Sequence, residues 1–113
     1  MDGHFPPEDL AHIRRWCAEQ SAKLPADALR IECVLRQRAV DIGEARPSWN
    51  GAADDPWTFQ AVARLTYIKS RHEWLLGVSD AHGDFRRYTP KPTGTLTSLL
   101  DEVDTDPFFT FWG

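Results

Sequence analysis

The chain has 113 residues, 42% of them hydrophobic and 27% charged, and a formal net charge of −4. That length supports one packed domain over residues 1–113 and is short for two. The acid excess speaks against indiscriminate nucleic-acid binding. No apolar run reaches the roughly 18 residues a membrane-spanning helix needs, and the acidic opening MDGHFPPEDL lacks the basic and apolar regions of a secretory leader.

The first predicted element is a helix. Phe5-Pro6-Pro7-Glu8-Asp9 places prolines and acids where a first turn accepts them. Leu10, Ile13 and Cys17 follow at helical spacing, Ala11 and Trp16 widen the stripe, and the helix fades near Pro25. The period then changes to two. Leu29, Ile31, Cys33 and Leu35 alternate with Arg30, Glu32 and Arg36, as on a strand with one buried face. Gln37-Arg38 turns the chain, and Val40 and Ile42 begin a second strand that runs into Glu44-Ala45-Arg46-Pro47-Ser48-Trp49. The segment 50–56, NGAADDP, has the chemistry of a polar loop.

The longest predicted strand places Trp57, Phe59, Ala61, Ala63, Leu65 and Tyr67 on one face, with Val62 and Ile68 on the other. Trp74, Leu76 and Val78 mark a fourth strand, and Phe85 to Thr89 a fifth. Pro90 and Pro92 end the sheet. Leu96, Leu99, Leu100 and Val103 then recur as one stripe of an amphipathic helix, stopped at Asp106-Pro107. The closing segment Phe108-Phe109-Thr110-Phe111-Trp112-Gly113 either seals the core or docks into a partner. Short links between strands favour an antiparallel meander. The expected fold is therefore α+β: an N-terminal helix, a five-stranded antiparallel meander sheet and a C-terminal helix with its aromatic tail docked on the core.

Glu44-x-Arg46-Pro47-x-Trp49 is the leading site candidate. Glu44 and Arg46 share the face of Val40 and Ile42, and Pro47 cannot donate to a ladder, so pairing ends there. Two readings stand side by side. The carboxylate and guanidinium lock the strand end while the indole caps the core, or Arg46 offers a bidentate donor beside an indole surface. Arg86, Arg87 and Lys91 flank Tyr88, combining cations with a ring, and a solvated outer sheet face explains them as well. Residues 57–92 carry six basic residues against three acidic ones, and residues from 93 onward carry four acids and no base. Asp80-x-His82-x-Asp84 is the one metal-like spacing, and with Gly83 it also makes a plain tight turn. Cys17 and Cys33, both on apolar faces, read as reduced, buried thiols, with a disulfide or a reactive thiol as the alternative.

Glu44-x-Arg46-Pro47-x-Trp49, Trp74-x-Leu76, Arg87-Tyr88-x-Pro90, Asp106-Pro107 and Phe111-Trp112-Gly113, in this order and spacing, make the chain resemble the family of small bacterial proteins known as domain of unknown function 3024. It departs from the family pattern at Gly77-Val78, Phe85 and Phe109. The resemblance implies a bacterial, cytosolic protein and no particular reaction.

Three functions follow as expectations. The first is a non-catalytic binding or adaptor domain that recognises another protein or a second copy of this chain through Glu44, Arg46, Trp49, Arg86, Arg87 and Tyr88. The second is association with nucleic acid through the basic face of the last strands. The third is an enzyme acting on a small anionic substrate through Glu44 and Arg46. No cofactor, metal or membrane partner is expected.

Overall fold

The computed structural model describes residues 5–48, 57–80 and 82–112. Helix α1 spans Pro7–Ser21, with Pro7 at its first turn and Glu8 and Asp9 complementing the amino-terminal dipole. Strands β1 (Arg30–Leu35), β2 (Ala39–Pro47), β3 (Trp57–Ile68), β4 (Glu73–Ser79) and β5 (Phe85–Arg87) follow, then a two-residue strand β6 (Thr93–Gly94) and helix α2 (Leu96–Thr105). All pairings are antiparallel. The strands lie in the order β1-β2-β3-β4-β5, and β6 pairs with β4. This is the expected α+β meander with its flanking helices, extended by β6.

One face of the sheet and both helices enclose a single hydrophobic cluster. Ile13, Trp16 and Cys17 of α1 and Leu96, Leu99, Leu100 and Val103 of α2 meet Val40, Ile42, Leu65, Trp74 and Leu76 from the strands. Burial at ~1.5–3 kcal/mol per large apolar side chain is the main force holding the layers together. Polar contacts fix their alignment. The Trp74 indole donates to Asp9 Oδ2 at 3.0 Å, tying α1 to β4, and the Tyr88 hydroxyl donates to Glu102 at 2.8 Å, tying the segment after β5 to α2.

Strand β3 differs from a plain alternation. Ile42 pairs with Ala63 but Gly43 pairs with Ala61, so Val62 is an extra residue in the ladder. A single inserted residue turns every side chain on one side of it to the opposite face. Ala63, Leu65 and Tyr67 face the core as the sequence predicts, and Val62 packs there too. Trp57, Phe59 and Ala61 emerge instead on the outer face. There Phe59 stands opposite Ala45 and Ala45 opposite Arg30, whose guanidinium carbon lies 3.5 Å from the centroid of the Trp57 ring. The expected single face for Trp57 to Tyr67 is thus two half-faces divided at Val62. Gly43 makes the bulge possible: a Cβ on it would overlap the Gln60 carbonyl oxygen and lie 2.7 Å from Ala61 Cα.

The carboxyl end of α2 is a compact knot. Asp106 adopts a left-handed conformation (φ 46°) and closes the helix. Its carboxylate accepts from the backbone N–H groups of Thr110 (2.7 Å), Phe111 (3.1 Å) and Trp112 (2.9 Å). The tail divides accordingly. Phe111 is buried against Tyr88 and the Trp112 indole donates to the Val103 carbonyl, while Phe108 and Phe109 point outward, 62% and 77% exposed. The loop expected over 50–56 lies outside the described residues. Among the described residues, no helix is long and apolar enough to cross a membrane.

Candidate binding site

Helix α1 ends at Ser21, before the sheet beneath it does. Ser21 marks the boundary, its hydroxyl accepting from the backbone N–H of Ile31 at 3.2 Å on the outer edge of β1. Past that point β2 continues for several residues. Glu44, opposite Ile31 and two residues after the fully buried Ile42, carries its carboxylate on the helix-covered side where the cover thins out.

The result is an open cleft of about 270 Å³. Trp16, Leu24, Leu29, Ile31 and Trp112 give it apolar walls, and Gln20, Lys23, Glu44 and Asp104 bring polar groups to the same space. Arg46, two residues on along the same face, donates to Glu44 Oε1 at 3.1 Å and is itself largely exposed. Glu44 is therefore paired without being sealed. An apolar slot with a few convergent polar groups is the general form of a small-ligand or side-chain site.

Of the residues that the sequence marks for a site, the fold brings Glu44 and Arg46 together. Trp49 lies outside the described residues. Arg86 and Arg87 sit on β5, with β3 and β4 between them and β2, and belong to different concavities. Tyr88 is 2% exposed, its ring 4.8 Å from that of Phe111 and its hydroxyl on Glu102, so its face is turned inward and not toward solvent. Burial and the neighbouring Glu102 carboxylate push the Tyr88 hydroxyl up to about 12.

Trp16, Lys23, Asp104 and Trp112 join the cleft without having been marked. Trp16 reads as core stripe, Trp112 as tail and Asp104 as a solvated helix position. Only the packing of α1 against the end of α2 brings them to one place, and no local spacing signals it.

On the outer face, Asp41 is 1% exposed and is held by two arginines: Arg64 Nε at 2.6 Å and Nη2 at 2.9 Å, and Arg36 Nε at 3.0 Å. Burial pushes the Asp41 carboxyl up, and the hydrogen bonds from Arg64 and Arg36 outweigh it, so it titrates below the usual carboxylate range. Arg64 also stacks on Phe85, its guanidinium carbon 4.1 Å from the ring centroid. With Arg87 and the bare backbone of Gly77 they shape a second, slightly smaller groove of about 240 Å³ that no carboxylate lines.

The Asp80-x-His82-x-Asp84 segment is a turn. Asp80 Oδ1 accepts from the backbone N–H groups of His82 (2.8 Å) and Asp84 (3.0 Å), and Gly83 takes φ 84°. Among the described residues no group of three or more histidine, cysteine or acidic side chains is placed to hold a metal ion.

The family model described as domain of unknown function (DUF3024) matches residues 4–113. The chain belongs to the DUF3024 family. No curated protein and no solved structure matches it. In this family member the strand end that carries the resemblance, Glu44 to Pro47, is also the strand end that reaches the cleft.

Proposed function

We propose that this DUF3024 protein is a non-catalytic binding domain whose recognition site is the cleft between α1, the far end of β2 and the tail after α2. The observation that carries this reading is the meeting of an ion-paired but accessible Glu44 with the apolar walls of Trp16, Leu24, Leu29, Ile31 and Trp112 in one open concavity. Such a slot takes an apolar group and orients it through the charges at its rim. The partner is another protein or a second copy of this chain that presents an apolar side chain there.

A second reading, association with nucleic acid, is favoured by one observation. The outer groove gathers Arg64 and Arg87 beside Phe85 with no acid among its lining residues.

One experiment separates the two. The tagged full chain is used for affinity capture from its cell of origin, with Leu29→Arg and Arg87→Glu variants in parallel, and captured proteins and nucleic acids are identified. The cleft reading expects a protein that is retained by Arg87→Glu and lost with Leu29→Arg. Nucleic acid that leaves at raised salt and with Arg87→Glu supports the second reading. A partner retained by folded Leu29→Arg contradicts the first.

A further inference from the structure

We infer that the partner of the cleft is a second copy of this chain, which inserts Phe109, with Phe108 beside it, and receives the same two rings in its own cleft. This pairing rests on the cleft being the recognition site proposed above and gives that site its occupant.

Phe109 is the most exposed large hydrophobic side chain among the described residues, and Phe108 comes next. Phe109 also stands at φ 55°, in the left-handed region that glycine enters freely and a bulky side chain enters at a cost. Its N–H donates to the Asp106 carbonyl at 3.0 Å and closes a turn through Pro107. Just beyond it, the Asp106 carboxylate holds the N–H groups of Thr110, Phe111 and Trp112. The turn is thus fixed at both ends and presents its rings outward. A strained conformation held this firmly, around a ring that its own chain leaves in water, argues for a surface that receives it.

The same three hydrogen bonds keep the rings from their own cleft. Trp112 is seated in its wall, so Phe109, three residues earlier, can fold back only by breaking the knot. A second copy meets no such obstacle. Knob and cleft emerge at one end of the sheet, where β1 begins and β2 and β4 end. There Trp112 borders the cleft with Ile31 and Glu44, and Thr110 lies near Val78 and Tyr88 in a neighbouring concavity. A patch that holds both a projection and its receptacle is self-complementary, so a two-fold axis lets each copy fill the other and closes the pair. Charge agrees. Among the described residues Lys23 at the cleft has no acid partner, and its ammonium reaches the Gln20 side-chain oxygen at 3.4 Å. The segment from residue 93 that carries the rings has four acids and no base. Of these acids, Asp101 and Asp104 are exposed. Insertion sets the cation of one copy's cleft against the acidic segment of the other.

The test is sedimentation velocity of the full-length chain from micromolar to millimolar concentration. Phe109→Gly, Leu29→Arg and Lys23→Glu run alongside, with each variant's fold checked by thermal melting. The wild type is expected to pass from monomer to dimer. Phe109→Gly is expected to melt no lower than wild type, because glycine suits φ 55°. It is nevertheless expected to raise the dimer dissociation constant about tenfold or more. Leu29→Arg, which obstructs the cleft, and Lys23→Glu, which reverses its cation, are expected to weaken the dimer too. An equimolar mixture of Phe109→Gly and Leu29→Arg is expected to form mixed pairs through one intact knob and one intact cleft. A chain that stays monomeric, growth past the dimer, or a dimer indifferent to Phe109→Gly would overturn the pairing. So would a dimer that folded Leu29→Arg and Lys23→Glu both retain. A monomer whose cleft amides still shift with apolar fragments overturns the pairing while the binding role of the cleft stands.

Discussion

Gly43 and Asp41 sit two residues apart on β2, and each holds the sheet in a way that one substitution exposes. At Gly43 the backbone of β3 comes so close that a methyl group has no room. Gly43→Ala must push the bulge open, and the expected cost is about 1–3 kcal/mol, read as a lower urea midpoint with the slope unchanged. At Asp41 the carboxylate is buried between Arg36 and Arg64. Because its folded value is depressed, its contribution to stability is complete above the ordinary carboxylate value of about 3.9 and is lost as pH falls through the lower folded value. Asp41→Asn removes the charge with little change of shape. The expected result is a lower Tm at neutral pH and a gap to wild type that narrows as pH drops below about 4. A gap that stays constant from neutral to acid pH would contradict the placement of that charge.

At the scale of elements, the carboxyl end of α2 depends on one side chain more than on helix propensity. Thr95 caps the amino end, accepting from Ser98 N at 3.2 Å, while Asp106 holds three N–H groups of the tail. Asp106→Ala strands those donors and also places an alanine at positive φ. The expected loss is about 2 kcal/mol or more, accompanied by a red shift in the fluorescence of the half-buried Trp112 as the tail detaches. Asp106→Asn, which keeps one acceptor oxygen, is expected to fall between the two.

The elements themselves were largely legible. The period of two across Ile31–Cys33 and Trp74–Val78, and the period of 3.6 across Leu96–Val103, reflect the burial that drives them. The bulge at Val62 was not, because the run from Trp57 to Tyr67 alternates as well as an unbroken strand does. The slip is decided by what β2 presents opposite it, Gly43, and that partner is a tertiary fact. Strand β6 is illegible for a different reason: two residues after Pro92 carry no periodicity, and Thr93 and Gly94 are held by pairing with Leu75 and Trp74.

For the molecule as a whole, the sheet divides its two faces between different tasks. The covered face makes the core and, where α1 stops short, the cleft. The outer face carries the Asp41–Arg36–Arg64 cluster and the grooved surface around Phe85 and Arg87. Half of the candidate site was legible in the strand-end motif, where a charged pair on an otherwise apolar face stands out. The other half comes from Trp16, Lys23, Asp104 and Trp112. Their meeting depends on how two helices far apart in the chain pack over one sheet edge, and no short-range pattern encodes that.

The recognition role of that cleft is tested most directly by titrating a fragment library into the isotopically labelled chain and following its proton–nitrogen spectra. Fragments with an apolar group are expected to shift the indole N–H signals of Trp16 and Trp112 together with the backbone amides of Glu44 and Ile31, and these shifts should vanish in Leu29→Arg. Binders that converge on the outer face around Arg87, or a library that leaves the four cleft signals unmoved, would contradict the account.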